Sequence, residues 1–255
     1  MESISRKKMK YKLLFISLFF CFPSFAYAMD TDNDGLMDDL EAVYYTDVSV
    51  SDTDLDGYLD GEEVRHGYSP LLGKGKRMHE SDHDQDGLND WLERWFKSDI
   101  GKTDTDDNGE TDFDAVMKGK APVGEKTFAK KIVVDRTKQQ LYYYVDTVKI
   151  VSMPVSTGNP HTPTPAGEFT IQKKIPDKRY TGPGYDLKGV KWNMQFKPSY
   201  YIHAAYWHND FGKRTHSHGC VNLTEKDSEL LYKYIETGTA VSVIGTTPAR
   251  FAVGT

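Results

Sequence analysis

Four copies of one acidic, glycine-punctuated loop most constrain what this 255-residue chain can fold into. "DTDNDGLMDDLE" starts at Asp30, "DTDLDGYLDGEE" at Asp52, "DHDQDGLNDWLE" at Asp82 and "DTDDNGETDFDA" at Asp104. The starts are 22, 30 and 22 residues apart, so the array reads as two pairs of one reused supersecondary unit. Clustered carboxylates repel strongly unless a cation neutralises them. Oxygen donors at positions 1, 3 and 5 with a bidentate Glu at 12 are what Ca²⁺ takes, and a glycine at 6 permits the sharp turn around the ion. The expected calcium ligands are Asp30, Asp32, Asp34, Leu36 through its carbonyl, Asp38 and Glu41 in the first loop. In the second they are Asp52, Asp54, Asp56, Tyr58, Asp60 and Glu63, and in the third Asp82, Asp84, Asp86, Leu88, Asp90 and Glu93. The fourth loop offers Asp104, Asp106, Asn108, Glu110 and Asp112, but has Ala115 at position 12 and Asp114 one residue early. A solvated, disordered acidic tail is the competing reading, and apolar residues after the loops (Leu40, Val43, Trp91, Leu92, Phe96) oppose it.

An EF-hand needs a helix leading into each loop. "YYTDVSVS", before the second loop, is instead rich in β-branched residues. The array resembles thrombospondin type 3-like calcium repeats and the loop–helix half of dockerin modules. That resemblance, over residues 30–118, implies structural Ca²⁺ and short helices, with no catalysis.

Charge divides the chain. Residues 29–118 hold 26 acidic and 8 basic residues, whereas 119–255 hold 11 acidic and 19 basic. This asymmetry predicts two units, joined by a linker at 119–128 containing "APVGEK". Residues 1–28 read as a secretory signal peptide: a basic head from Arg6 to Lys12, an apolar run from Leu13 to Phe22, and Ala26-Tyr27-Ala28 as the cleavage site. That run is shorter than the roughly 20 residues a membrane span needs; a retained anchor is the alternative. No transmembrane segment is expected after cleavage, and the expected location is a periplasm or cell wall. Nucleic acid is not an expected partner there. Cleavage would remove Cys21 and leave Cys220 as a lone thiol. Such a thiol is either reactive or a small buried hydrophobe.

The basic half reads as mainly β. "KIVVD", "QQLYYYV", "VKIVSMPV", "GEFTI" and "TAVSVIG" are predicted strands, with a hairpin turn at Asp146-Thr147. One helix is predicted in "TEKDSELLYKYIETG", with Thr224 at its start and Gly238 after its end. The aromatic-bearing stretch 175–201 reads as core and loop packing, or as a loop covering a substrate. The domain is expected to span 129–246, followed by a tail at 247–255.

"RTHSHGCVNL", residues 214–223, places Cys220 near His216 and His218. Cysteine acyl transfer needs a thiol, a base and donors for an oxyanion. Gly219 lets backbone N–H groups approach a carbonyl, and the N–H groups of Gly219 and Cys220 are the expected donors. His203, His208 and His216 can act as base. Zinc binding is the competing chemistry for Cys and His. At His203, thirteen spacer residues, then Ser217-His218-Gly219-Cys220-Val221-Asn222, the chain resembles the L,D-transpeptidase (YkuD-type) catalytic domain. "IVVDRTKQQLYYY" and "MPVSTGNPHTPTPAGEFTI" extend the likeness. Ala204 departs from the Gly or Ser usual after the histidine.

The resemblance implies a β-sandwich or barrel with Cys220 as nucleophile, His203 as base, and His218 and Gly219 supporting the oxyanion site. Ser217, Asn222, Tyr206, Trp207 and His208 are the expected substrate contacts. It also implies peptidoglycan peptide stems as substrate, carbapenem-type β-lactams as acylating inhibitors, and no catalytic cofactor. The acceptor could be a stem amine, water or a lipoprotein lysine. A calcium-dependent adhesion or docking protein with an inactive β domain is the reading from another class.

Overall fold

The computed structural model describes residues 29–182 and 184–248. The expected signal peptide, with Cys21, and residues 249–255 of the expected tail lie outside them. Among the described residues no helix is long and apolar enough to cross a membrane.

The acidic half is four loop–helix units. Helices α1 (Asp38–Tyr44), α2 (Asp60–His66), α3 (Asp90–Phe96) and α4 (Asp112–Met117) each begin at position 9 of a loop. The cause is local. The position-9 carboxylate accepts the N–H of position 2, at 2.9 Å for Thr31, Thr53 and His83 and 3.0 Å for Thr105, and so folds each loop back onto its helix start. A carboxylate in the first turn also suits the positive end of the helix dipole. The loops pair as their spacing predicts. Asp34 accepts the Gly61 N–H at 2.9 Å, and Asp86 accepts the Phe113 N–H at 2.8 Å. Gly61 is required for the first pairing, because a Cβ there would lie 2.6 Å from the Asp34 carbonyl oxygen.

The basic half has two sheets. Strands β1 (Lys130–Asp135), β2 (Gln140–Val145), β3 (Val148–Pro154), β4 (Gly167–Thr170) and β9 (Ala240–Ile244) form one, in the order β3-β2-β1-β9-β4. Strands β5 (Lys173–Gly182), β6 (Tyr185–Lys197), β7 (Tyr200–Ala204) and β8 (Val221–Leu223) form the other in sequence order. Helix α5 (Glu225–Tyr234) packs against β6 and β7. Its N-terminus is capped by Thr224, whose hydroxyl accepts the Asp227 N–H at 3.1 Å. Ile132, Val134 and Leu141 from one sheet and Met194, Phe196, Ile202 and Val221 from the other fill the core.

Met194 and Phe196 enter the core as the packing reading of 175–201 expects, while the long β5–β6 hairpin corrects the loop part of that reading. Its residues alternate, but much of the hairpin is exposed on both faces and carries Lys, Asp and Arg there. The apolar alternation that marks a half-buried strand is therefore missing.

The two halves share one core. Leu88, Leu92, Phe96, Val116 and Met117 of the acidic half are continuous with Tyr143 and Val145 of the basic half. The fully buried Tyr143 donates its hydroxyl to the Met117 carbonyl at 2.7 Å. Phe113 packs edge-on to Tyr234, with ring centroids 6.2 Å apart. Residues 119–128, expected as a linker, close into a turn through Ala121 N–H to Lys126 carbonyl (2.8 Å) and Phe128 N–H to Gly119 carbonyl (2.7 Å). Asp114 faces α5, where Lys233 Nζ lies at 3.1 Å and the Tyr234 hydroxyl donates to it. The degenerate fourth loop is thus a junction element.

Candidate active site

Strands β7 and β8 run parallel, with Ile202 opposite Val221 and His203 opposite Asn222. Side chains alternate along a strand, and register partners share a face. Ile202 and Val221 enter the core, so Tyr201, His203 and Asn222 point to the other face. Cys220, one residue before β8 and in register with Tyr201, joins them there. Seventeen residues separate His203 from Cys220 in the chain, and one strand spacing separates them in the sheet. Both line a cleft of about 200 Å³ with Trp207, Ser217, His218 and Asn222. Tyr180, Tyr185 and Leu187 of the β5–β6 hairpin line it as well, as does His216.

His203 is buried, and its Nδ1 lies 2.8 Å from the Ala204 carbonyl oxygen. A carbonyl only accepts, so Nδ1 carries the proton and Nε2 keeps its lone pair. That fixes the tautomer a general base needs. It also shows why Ala204 is tolerated: the contact is through its main chain. Burial is the largest influence on the ring and pulls its pKa down to about 4. Burial likewise pushes the Cys220 thiol up to about 11, with the Tyr201 N–H and the Lys178 cation opposing it. The resting pair is therefore a neutral thiol and a neutral imidazole, so the proton leaves sulfur as the sulfur attacks.

The turn holding Cys220 differs from the expectation for its donors. The Gly219 N–H donates to Ser217 Oγ at 3.0 Å, and the Ser217 hydroxyl donates to the Cys220 carbonyl at 2.5 Å. Gly219 is therefore not a free oxyanion donor, and Ser217 braces the turn with the polar atom expected to contact substrate. Among the described residues the Cys220 N–H has no acceptor, which makes it the available donor. Gly219 is needed for its φ of 116° and for space, since a Cβ would lie 2.5 Å from Tyr200 Cε1.

The remaining expected residues divide. His218 is exposed and stacks on Tyr185 at 5.5 Å, facing the hairpin. Tyr206 is exposed and donates its hydroxyl to the Lys188 carbonyl at 3.0 Å, outside the cleft lining. His208 lies behind the cleft, stacked 4.4 Å from His216, with its Nε2 3.2 Å from the Asn222 amide nitrogen. Burial, then His216, draws the His208 pKa down to about 4. His216 Nε2 meets Asp210 at 2.8 Å. His208 thus holds the Asn222 side chain, and Asn222 Oδ1 is buried without a partner among the described residues.

The sequence reading missed the brace under this loop, although "STGNP" was in view. Ser156 exchanges both backbone hydrogen bonds with Asn222 at 2.9 Å. Asn159 donates to the Ser217 carbonyl from N–H and Nδ2, at 3.0 and 3.1 Å. Gly158 sits so close that a Cβ there would lie 2.8 Å from Gly219 Cα.

In the acidic half, Asp30, Asp32 and Asp34 bring carboxylate oxygens within 4.8 Å of one another, as do Asp52, Asp54, Asp56 and Asp82, Asp84, Asp86. Glu41, Glu63 and Glu93 are buried with unpartnered oxygens, and Asp32, Asp54 and Asp84 each leave one oxygen without a donor. Burial and the loop aspartates push Glu41 to about 7, Glu63 to about 8 and Glu93 to about 10. Buried carboxylates without donors are costly unless a cation takes them, so the residues fit an oxygen-liganded divalent ion. Two expectations change. Asp38, Asp60, Asp90 and Asp112 spend oxygens on loop N–H groups, and all but Asp90 also bind the position-2 threonine hydroxyl, so position 9 is structural. The fourth loop (Asp104, Asp106, Asn108) lacks a position-12 acid, and Glu110 is paired with Lys118 and Lys120.

Residues 129–243 match the family model of the L,D-transpeptidase catalytic domain, YkuD. This half is similar to L,D-transpeptidase catalytic domains. The chain is 32% identical over 102 residues to probable L,D-transpeptidase 3 of Mycobacterium tuberculosis, a match covering 36% of this chain and 38% of that protein. It is 29% identical over 117 residues to the putative L,D-transpeptidase YkuD of Bacillus licheniformis, covering 46% and 67%. Among solved structures, L,D-transpeptidase 3 from M. tuberculosis with a faropenem-derived adduct aligns over 47% of this chain and 61% of that one, at 24% identity and a TM-score of 0.43. The chain thus spans less than half the length of the M. tuberculosis relative.

Proposed function

We propose that this protein is a cysteine-dependent L,D-transpeptidase that remodels peptidoglycan outside the cytoplasm. The observation that carries the reading is the shared face of β7 and β8, where Cys220 and a His203 with a free Nε2 line one cleft. Cys220 Sγ attacks the carbonyl carbon of the third-position diamino acid in a tetrapeptide stem, and its proton passes to His203 Nε2. The Cys220 N–H donates to the oxyanion. The C–N bond to the terminal D-alanine then breaks, and the imidazolium returns the proton to the leaving amine. A thioester remains on Cys220. A stem amine attacks it, its proton goes to His203, the C–S bond breaks, and the thiol recovers the proton. The product is a 3→3 crosslink. Water in place of the amine would make an L,D-carboxypeptidase, and a lipoprotein lysine an anchoring enzyme.

A carbapenem tests the nucleophile, because its strained lactam acylates a thiol without needing an acceptor. Intact-mass spectrometry is expected to find one adduct on the wild type and none on Cys220→Ala. An adduct that survives the substitution would remove Cys220 from this role.

The acidic half is read as a calcium module that buttresses the enzyme. Asp30, Asp32, Asp34 and Glu41 would hold one ion, Asp52, Asp54, Asp56 and Glu63 a second, and Asp82, Asp84, Asp86 and Glu93 a third. Calcium supplies charge neutralisation there and takes no part in the proposed transfer.

A further inference from the structure

The cleft lining contains no carboxylate and no Lys or Arg, yet a tetrapeptide stem ends in a free carboxylate next to the bond that breaks. We propose that Lys178 binds that terminal carboxylate and so selects stems whose last residue is the one expelled; this rests on the transpeptidase reading above. Lys178 lies on β5 two residues before Tyr180, where the β5–β6 register shifts, and its side chain reaches the Tyr180 ring. Its Nζ sits 4.6 Å from the Tyr180 ring centroid and 5.5 Å from that of Tyr201. The Tyr180 ring in turn lies 5.0 Å from the His203 ring, and both line the cleft with Cys220. The Lys178 charge bears on both Cys220 and His203.

The neighbouring cations are already used. Arg179 pairs with Asp186 at 2.6 Å and Lys191 with Asp177 at 2.6 Å, whereas Lys178 has no ion pair with any described residue. An ammonium resting on aromatic faces keeps N–H donors for a carboxylate. The chemistry indicates which carboxylate. His203 must return its proton to the amine of the departing amino acid, and that residue's carboxylate is attached one carbon from the same nitrogen. A cation beside the imidazole meets it there. One further residue, as in a pentapeptide, would carry the carboxylate about 3.5 Å away.

The test compares the full chain and its Lys178→Met and Lys178→Arg variants on a disaccharide tetrapeptide with a free terminal carboxylate, its terminal amide, and the pentapeptide. The wild type is expected to prefer the free acid to the amide and the pentapeptide. K178M is expected to lose about ten- to a hundredfold in kcat/KM on the acid, mostly in KM, because one charge-assisted contact is gone. On the amide it is expected to match the wild type, and K178R to recover much of the loss on the acid. The alkylation profile of Cys220 is expected to move to slightly higher pH in K178M, because the Lys178 cation opposes the rise of the thiol. Equal losses on acid and amide, or no loss on either, would overturn the assignment while leaving the transpeptidase reading intact. A wild type that converts no substrate and takes no carbapenem adduct would overturn that reading, and the Lys178 assignment with it.

Discussion

At the residue scale the site works by burial. A thiol near 11 and an imidazole near 4 are both neutral across the physiological range. His203, as the proposed base, can take a proton above about 4 and cannot once pH falls through it, while thiolate accumulates only as pH rises toward 11. The acid limb of kcat/KM is therefore expected near pH 4, well below the value of an exposed histidine. Iodoacetamide alkylation of Cys220 is expected to climb about tenfold per pH unit through neutrality, because thiolate is the nucleophile. A plateau already reached by pH 7 would instead indicate a preformed thiolate–imidazolium pair. That Cys220 and His203 belong together was legible in the sequence, from Ser-His-Gly-Cys and a histidine upstream, and the structure brings both to one cleft. The donor assignment was not. Whether the Gly219 N–H is free or held by Ser217 Oγ is decided by the turn's dihedrals, which no spacing reveals.

At the element scale the site depends on a parallel strand pair held from both sides. The "STGNP" segment braces β8 and the Cys220 turn, and α5 covers β6 and β7. Removing the α5 cap by Thr224→Ala is expected to cost about 1 kcal/mol of stability, read as a lowered urea midpoint with an unchanged slope. Strands β1 to β4 and β9, α5 and the Asp146 turn were legible from β-branched alternation, capping and punctuation. The β5–β6 hairpin was not, because its exposure on both faces erases the period-2 signal. Tyr180 and Tyr185 stood out in the sequence as aromatics of a stretch that could cover a substrate, whereas the place of Lys178 beside the Tyr180 ring came only with the folded hairpin. In the acidic half, periodicity revealed the loops and their pairing. It overassigned the position-9 aspartates, whose acid is needed to hold the loop onto the next helix.

At the scale of the whole molecule the two oppositely charged halves share one core and are expected to unfold together. Tyr143 is sealed against Met117, and Asp114, Phe113 and α5 lock the fourth loop to the catalytic sheet. The 119–128 turn is too short and too closed to let the halves part freely. Ligand binding to the native state alone stabilises by mass action, about 2.7 kcal/mol per site at a hundred times the dissociation constant. Three buried acidic sites coupled through one core therefore predict that chelation by EDTA lowers the melting temperature of the entire chain, and that added Ca²⁺ restores it. Melting that shows the catalytic half unaffected would mean that the halves are energetically separate. Unchanged melting throughout would remove calcium from the account.

Cys220, served by His203, is proposed to break the diamino acid–D-alanine bond and pass the acyl group on. The most direct measurement incubates the wild type, Cys220→Ala and His203→Ala with purified tetrapeptide muropeptides and follows D-alanine release and product mass together. The wild type is expected to release one D-alanine per 3→3 crosslinked dimer formed. Cys220→Ala is expected to show no release, and His203→Ala a loss of about a hundredfold or more, the usual range for a positioned general base. Release of D-alanine by Cys220→Ala at the wild-type rate would contradict the account.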